Sequence, residues 1–114
     1  MNMTKAASCA AVIAGADIGM FGRDALDAGK DAANIFVSSL AADYISQPTD
    51  SLVPEGTEDI ANIAIGGGIY AALDNVVEAS PFGTMLGKFL YGIGNLAVGS
   101  NYVYPLIATN VNGS

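Results

Sequence analysis

Four long segments of the chain are rich in Ala, Gly, Ile, Leu and Val, and short polar or proline-containing stretches separate them. Their periodicity predicts helices at about 4–21, 24–45, 57–77 and 80–99, followed by an extended tail at 100–114. We therefore expect a single all-α domain over residues 1–114, with about four short Gly/Ala-rich helices that can pair as two helical hairpins.

The predicted helix ends depend on residues that stop or start helices. Gly22 is a suitable C-terminal stop for the first helix, and Pro48 ends the second because a residue before proline avoids helical geometry. Thr57 is a suitable N-cap for the third helix. Ser80 and Pro81 are a cap residue and a first-turn proline, which predicts the start of the fourth helix there.

The second segment has the clearest amphipathic pattern. Polar residues recur at intervals of three and four, and an apolar row lies beside them. We expect this polar stripe to face water, with an acidic docking strip for a basic partner as the alternative. The stripe consists of Asp24, Asp27, Asp31, Asn34 and Ser38, and the apolar row of Leu26, Ala33, Val37, Leu40 and Tyr44.

Charge is scarce for a chain of this size. Hydrophobic residues make up 52% of the sequence and charged residues 13%, whereas a typical soluble domain has about 25% charged residues. Lipid or neighbouring protein is therefore expected to cover part of the surface. The net charge of −7, with Lys5, Arg23, Lys30 and Lys88 as the scattered bases, argues against nucleic acid as a partner.

Small residues recur every fourth position in three of the predicted helices. On a helix they form a groove into which another helix backbone can settle closely, a device favoured inside membranes. The predicted helix-packing residues are Ala11, Gly15 and Gly19, then Ala64, Gly68 and Ala72, and finally Gly83 and Gly87. The run Gly66–Gly68 either lies within the third helix or breaks it into two halves. A phosphate-binding turn is not expected because neither GxGxxG nor GK[ST] occurs.

Two segments are apolar enough to enter a membrane but are marginal as independent spans. Ile60–Leu73 has 14 residues between two acids, and Phe89–Ala108 has 20 residues without a formal charge but several glycines and asparagines. We expect insertion into lipid, with a soluble helical domain buried in a larger assembly as the alternative. Tyr102 and Tyr104 are the candidate partner-contact residues, suited to a membrane interface or to strand addition by the extended tail.

The residues needed for most catalytic and metal sites are missing from the sequence. There is no histidine, and Cys9 is the single cysteine, so neither a Ser–His triad nor a zinc cluster can form. We therefore expect no enzymatic activity, no cofactor and no small-molecule substrate. Cys9 is expected to be a small apolar core residue.

In general character the stretches VIAGADIGMFGRDALDAG (12–29) and IAIGGGIYAALDNVV (63–77) resemble small hydrophobic minor capsid and virion-membrane proteins of large icosahedral DNA viruses. The resemblance implies a structural protein of the virion, at or in an internal membrane beneath the capsid. Such a protein joins the shell, and thus a major capsid protein, to the bilayer. The alternatives are a small helical subunit of a cellular membrane complex and a holin- or bacteriocin-like pore former, against which the negative charge argues.

Overall fold

The structure is a computed structural model that describes residues 2–46 and 58–112. The fold is all-α, and no strand occurs within these two ranges. The predicted cap Thr57 and the loop before it lie outside the described residues. The elements are α1 (Met3–Gly19), α2 (Ala25–Ser46), α3 (Glu58–Val77), α4 (Met85–Val98), a π-helical turn (Gly99–Val103) and α5 (Tyr104–Asn112).

Helices α1 to α4 form a bundle in which each helix packs against the next and runs antiparallel to it. Lys5 near the start of α1 pairs with Asp43 near the end of α2. Asp74 near the end of α3 pairs with Lys88 near the start of α4. The π-helical turn after α4 packs back against α1 and closes the ring of contacts.

One half of the bundle interior is an apolar layer formed by Cys9, Ile13, Ile35 and Leu96, all almost completely buried. The ring of Tyr70 packs against this layer. Burial of each large side chain contributes about 1.5–3 kcal/mol. Cys9 is therefore a core residue, as expected from the sequence.

Glycines allow the closest helix contacts in the bundle. A Cβ at Gly99 would lie 2.6 Å from Cys9 Cα, and a Cβ at Gly67 would lie 2.8 Å from Ile93 Cγ1. Real Cβ atoms do not approach other atoms this closely, so only glycine fits there. α3 continues without interruption through Gly66–Gly68, which settles that the glycine run lies within a helix.

The fourth helix begins later than its predicted start at Ser80. Thr84 is the N-cap of α4, and its hydroxyl accepts a hydrogen bond from Gly87 N. Ser80 instead forms a turn, because its own N–H bonds Asp74 Oδ1 and its hydroxyl accepts from Phe82 N. This turn brings Phe82 against the rings of Phe21 and Tyr91.

The tail differs from the extended segment predicted at 100–114. The chain continues beyond α4 as the π-helical turn and then as α5. Pro105 explains the wider turn, since it has no N–H to donate and its ring crowds the carbonyl of the preceding helical turn. Gly99 packs against α1 and holds the continued helix in place.

The orientation of α2 is opposite to the one predicted from its amphipathic pattern. Asp31, Asn34 and Ser38 of the polar stripe are buried, whereas Leu26 and Val37 of the apolar row are exposed. The stripe therefore faces the bundle interior. Asp31 and Asn34 bond Tyr70 on α3, and Ser38 bonds Asn34 on its own helix, which offsets part of the cost of desolvation.

Candidate functional site

The second half of the bundle interior is a polar layer, contributed by all four main helices. Asp17 and Asp31 are 0% exposed, which is rare for carboxyl groups unless they are paired. The polar layer consists of Asp17 on α1, Asp31 on α2, Tyr70 and Asp74 on α3, and Lys88 and Tyr91 on α4.

Each of two buried carboxyl groups accepts a hydrogen bond from a tyrosine on another helix. Tyr70 donates its hydroxyl to Asp31 Oδ1 at 2.6 Å, and Tyr91 donates to Asp17 Oδ1 at 2.5 Å. Such bonds to a carboxylate are among the stronger hydrogen bonds in proteins. They join α3 to α2 and α4 to α1 within the same layer.

The third carboxyl group, that of Asp74, is fully occupied. Its Oδ2 lies 3.1 Å from Lys88 Nζ, and its Oδ1 accepts the backbone N–H groups of Ala79 and Ser80. Asp74 thus holds the α3–α4 connection and neutralises the buried lysine.

Aromatic rings cover the polar layer at the end of the bundle. Phe21 follows α1 and makes edge contacts with Tyr91 at 5.5 Å and with Phe82 at 5.3 Å between ring centroids. Arg23 lies beside them and donates to the carbonyl oxygen of Ala79. Phe21, Phe82 and Tyr91 thus form an aromatic cluster next to the polar layer.

A second polar group lies at the opposite end of the bundle. Asp43 accepts hydrogen bonds from Lys5 Nζ at 2.8 Å, from Asn62 Nδ2 at 2.7 Å and from the backbone N–H of Asn2. A cavity of about 240 Å³ opens beside it and is lined in part by Tyr104. The apolar layer thus separates two polar regions.

The predicted helix-packing residues lie on the outer surface of the bundle. Within the chain, the close approaches are made by Gly66, Gly67, Gly92 and Gly99 instead. Contact of the outer stripes with another subunit stays a prediction. Ala11, Gly15, Gly19, Ala64, Gly68, Ala72 and Gly83 are exposed, and Gly87 is half-buried against Thr84 and Phe82.

The two predicted partner residues are in the helical tail. Tyr102, in the π-helical turn, is 69% exposed, and Tyr104 begins α5. Their helical conformation removes the basis for strand addition by this segment. Contact with a partner through their side chains stays a prediction.

The sequence reasoning missed the polar layer, although the signal was available. Asp17, Asp74 and Lys88 are single charged residues within otherwise apolar helical segments. Ionisable residues in such segments usually face the interior of a bundle and pair with one another. The sequence pattern places Asp31 in a polar stripe that is expected to face water.

The outward faces of the same helices carry large apolar side chains. Leu86 and Leu90 on α4 are 67% and 57% exposed, and Val76 on α3 is 85% exposed. Among the described residues, one helical segment, Ile60–Val77, is long and apolar enough to cross a membrane. Buried polar groups and exposed apolar side chains therefore occur on the same helices.

No protein-family model, no curated protein and no solved structure matches this chain.

Proposed function

We propose that this chain is a non-enzymatic structural protein whose helical bundle lies in a lipid bilayer and packs there against neighbouring subunits. The proposal depends on the arrangement of polar and apolar side chains in the bundle: Asp17 and Asp31 are buried, whereas Leu86 and Leu90 are exposed. In water each exposed apolar Å² costs about 25 cal/mol relative to burial. Lipid removes that cost, and buried polar groups that satisfy one another are the usual arrangement inside it.

The distribution of charge favours lipid over a covering protein. Lys5 and Asp43 lie at one end of the bundle, and Arg23, Asp24 and Glu78 lie at the other. α3, which contains the candidate span Ile60–Val77, has 20 residues, which corresponds to about 30 Å of helix. This length is close to the hydrocarbon thickness of a bilayer, about 30 Å.

The small-residue stripes support packing against other subunits. Gly15 and Gly68 are exposed, and a Cβ built on either would have no atom of another described element within 4 Å. In lipid, close van der Waals contact between helices replaces the hydrophobic effect as the force for association. The exposed stripes are suited to such contacts with a neighbour.

Carbonate washing of membranes tests the proposal. We expect the chain to stay in the membrane pellet and to be released by detergent. Recovery in the supernatant without detergent would contradict insertion and favour a domain buried in a protein assembly. Vesicles containing the purified chain should retain a trapped dye, since release of the dye would indicate a pore former.

The resemblance of the sequence to virion-membrane proteins extends the proposal to a setting beneath an icosahedral capsid. There the chain would link the protein shell to the internal membrane. Co-purification with intact particles and their major capsid protein would support this setting. Co-purification with a cellular redox or transport complex would contradict it.

A further inference from the structure

Two carboxyl oxygens in the polar layer have no hydrogen-bond donor. Oδ2 of Asp17 and Oδ2 of Asp31 are buried and unpartnered. The tyrosines bonded to these two carboxyl groups, Tyr91 and Tyr70, have ring centroids 6.5 Å apart, and the two carboxyl groups interact with each other. Two ionised carboxylates there would be acceptors only and would repel each other. We propose that Asp17 and Asp31 form a proton-binding site, in which one proton on one carboxyl oxygen is donated to the other carboxylate.

The proton completes a chain of hydrogen bonds that crosses the bundle. Tyr91 on α4 donates to Asp17 on α1, and Tyr70 on α3 donates to Asp31 on α2. These bonds occupy the Oδ1 atoms and leave the Oδ2 atoms for the shared proton. With the proton in place, every carboxyl oxygen of the pair has a partner, and one residue from each main helix belongs to the chain.

Within the described part of the chain, no positive charge is paired with Asp17 or Asp31. Lys88, the cation in the polar layer, is paired with Asp74 at 3.1 Å. Over residues 2–46 and 58–112, none of the ion pairs includes Asp17 or Asp31, and no group of carboxylates is arranged as a metal-ligand set. The titratable groups that interact with the pair are Tyr70 and Asp74 from α3 and Tyr91 from α4, and Lys88 lies next to Asp74.

Release of this proton should loosen the bundle. Two adjacent buried charges would then repel each other in a medium of low dielectric constant. Unfolded aspartates are already ionised at neutral pH, so the folded chain binds one more proton than the unfolded chain does. The folding equilibrium constant should therefore fall as the pH rises, by up to about tenfold per pH unit, until the folded state also loses the proton.

Infrared spectroscopy of the purified chain in detergent at neutral pH tests the proposal directly. A protonated carboxyl group has a C=O band separate from that of carboxylates, and we expect one such group per chain. Asp31→Asn and Asp17→Asn should each remove the band, whereas the control Asp27→Asn, one turn earlier on α2, should leave it unchanged. Absence of the band from the native chain would overturn the proposal.

Further variants keep the test decisive if an asparagine variant fails to fold. Tyr70→Phe removes the hydrogen bond to Asp31, so the band should move in frequency and remain present. A band that is unchanged in Tyr70→Phe and Tyr91→Phe would assign the proton to another carboxyl group and overturn the proposal. The inference concerns the interior alone, so its failure would be distinct from failure of the chain to insert into lipid.

Discussion

The two faces of α2 differ in a way that is unusual for a water-soluble protein. The face turned to the interior carries Asp31, Asn34 and Ser38, all buried, whereas the outward face carries Leu26 and Val37, both exposed. The same contrast holds for α4. There Lys88 and Asn95 are buried, and Leu86 and Leu90 are exposed.

This contrast teaches that the environment, and not the helical pattern alone, decides which face of an amphipathic helix turns inward. In water the apolar face is buried because burial removes apolar surface from the solvent. In lipid the apolar face gains nothing from burial, and the polar groups must find partners inside the bundle. In the interior of this chain, hydrogen bonds and one buried ion pair supply such partners, except for a few atoms that include Oδ2 of Asp17 and of Asp31.

The largest effect is expected when the buried ion pair loses one partner. Lys88→Met leaves the Asp74 carboxylate buried without its cation, which should lower the free energy of unfolding by about 3–5 kcal/mol. Adding Asp74→Asn removes the unpaired charge and should recover most of that loss. Denaturant unfolding in detergent, followed by circular dichroism, measures both. The exposed Lys30 offers the control Lys30→Met, and equal losses in the two lysine variants would contradict the buried pair.

A charge introduced on the outward apolar face of α4 tests whether that face contacts lipid. Leu90→Asp should reduce retention in the membrane pellet, because an aspartate near the bilayer centre costs roughly 2.5–3.5 kcal/mol. Leu90→Ala, which changes size without adding charge, should be retained. Should the aspartate variant stay folded and become more soluble without detergent, the outward face would be a water-facing surface.

Two adjacent glycines on α3 give a smaller and more local test. A Cβ at Gly67 would lie 2.8 Å from Ile93 Cγ1 and 3.2 Å from the carbonyl oxygen of Phe89, so Gly67→Ala should cost roughly 1–3 kcal/mol. Gly68 faces outward with open space, and Gly68→Ala should raise helix stability by up to about 1 kcal/mol. Unfolding of the two variants in detergent measures the difference, and equal effects would contradict the assigned faces of α3.

The helical fold could be predicted from the sequence because periodicity and helix stops are local signals. Gly22 lies in the turn after α1 and has a positive φ of 64°, which suits glycine. The start of α4 was less predictable, since Ser80 and Pro81 have the composition of a cap. The hydrogen bonds that the backbone N–H groups of Ala79 and Ser80 donate to Asp74 Oδ1 decide that region, and they depend on tertiary structure.

Single charged residues in apolar segments indicate buried polar groups, but local signals do not indicate which of these groups meet in one layer. The sequence of α2 has a polar face and an apolar face, but the spacing of the residues does not indicate which face the rest of the chain covers. Asp17 and Tyr91 are separated by 74 positions and meet only when α1 and α4 pack together. Gly66 and Gly67 are likewise absent from the predicted helix-packing residues, although they are positions on α3 that closely approach other helices.

The most direct test of the central claim is to measure whether lipid or water surrounds the outward faces of the helices. Nitroxide labels on single cysteines at Val37 and Leu90, in a Cys9→Ala background, should be accessible to oxygen and protected from a water-soluble nickel complex in bilayers. A label at the exposed end residue Glu78 should be accessible to the nickel complex. High nickel accessibility at Val37 and Leu90 would show that water surrounds the bundle and would contradict the account.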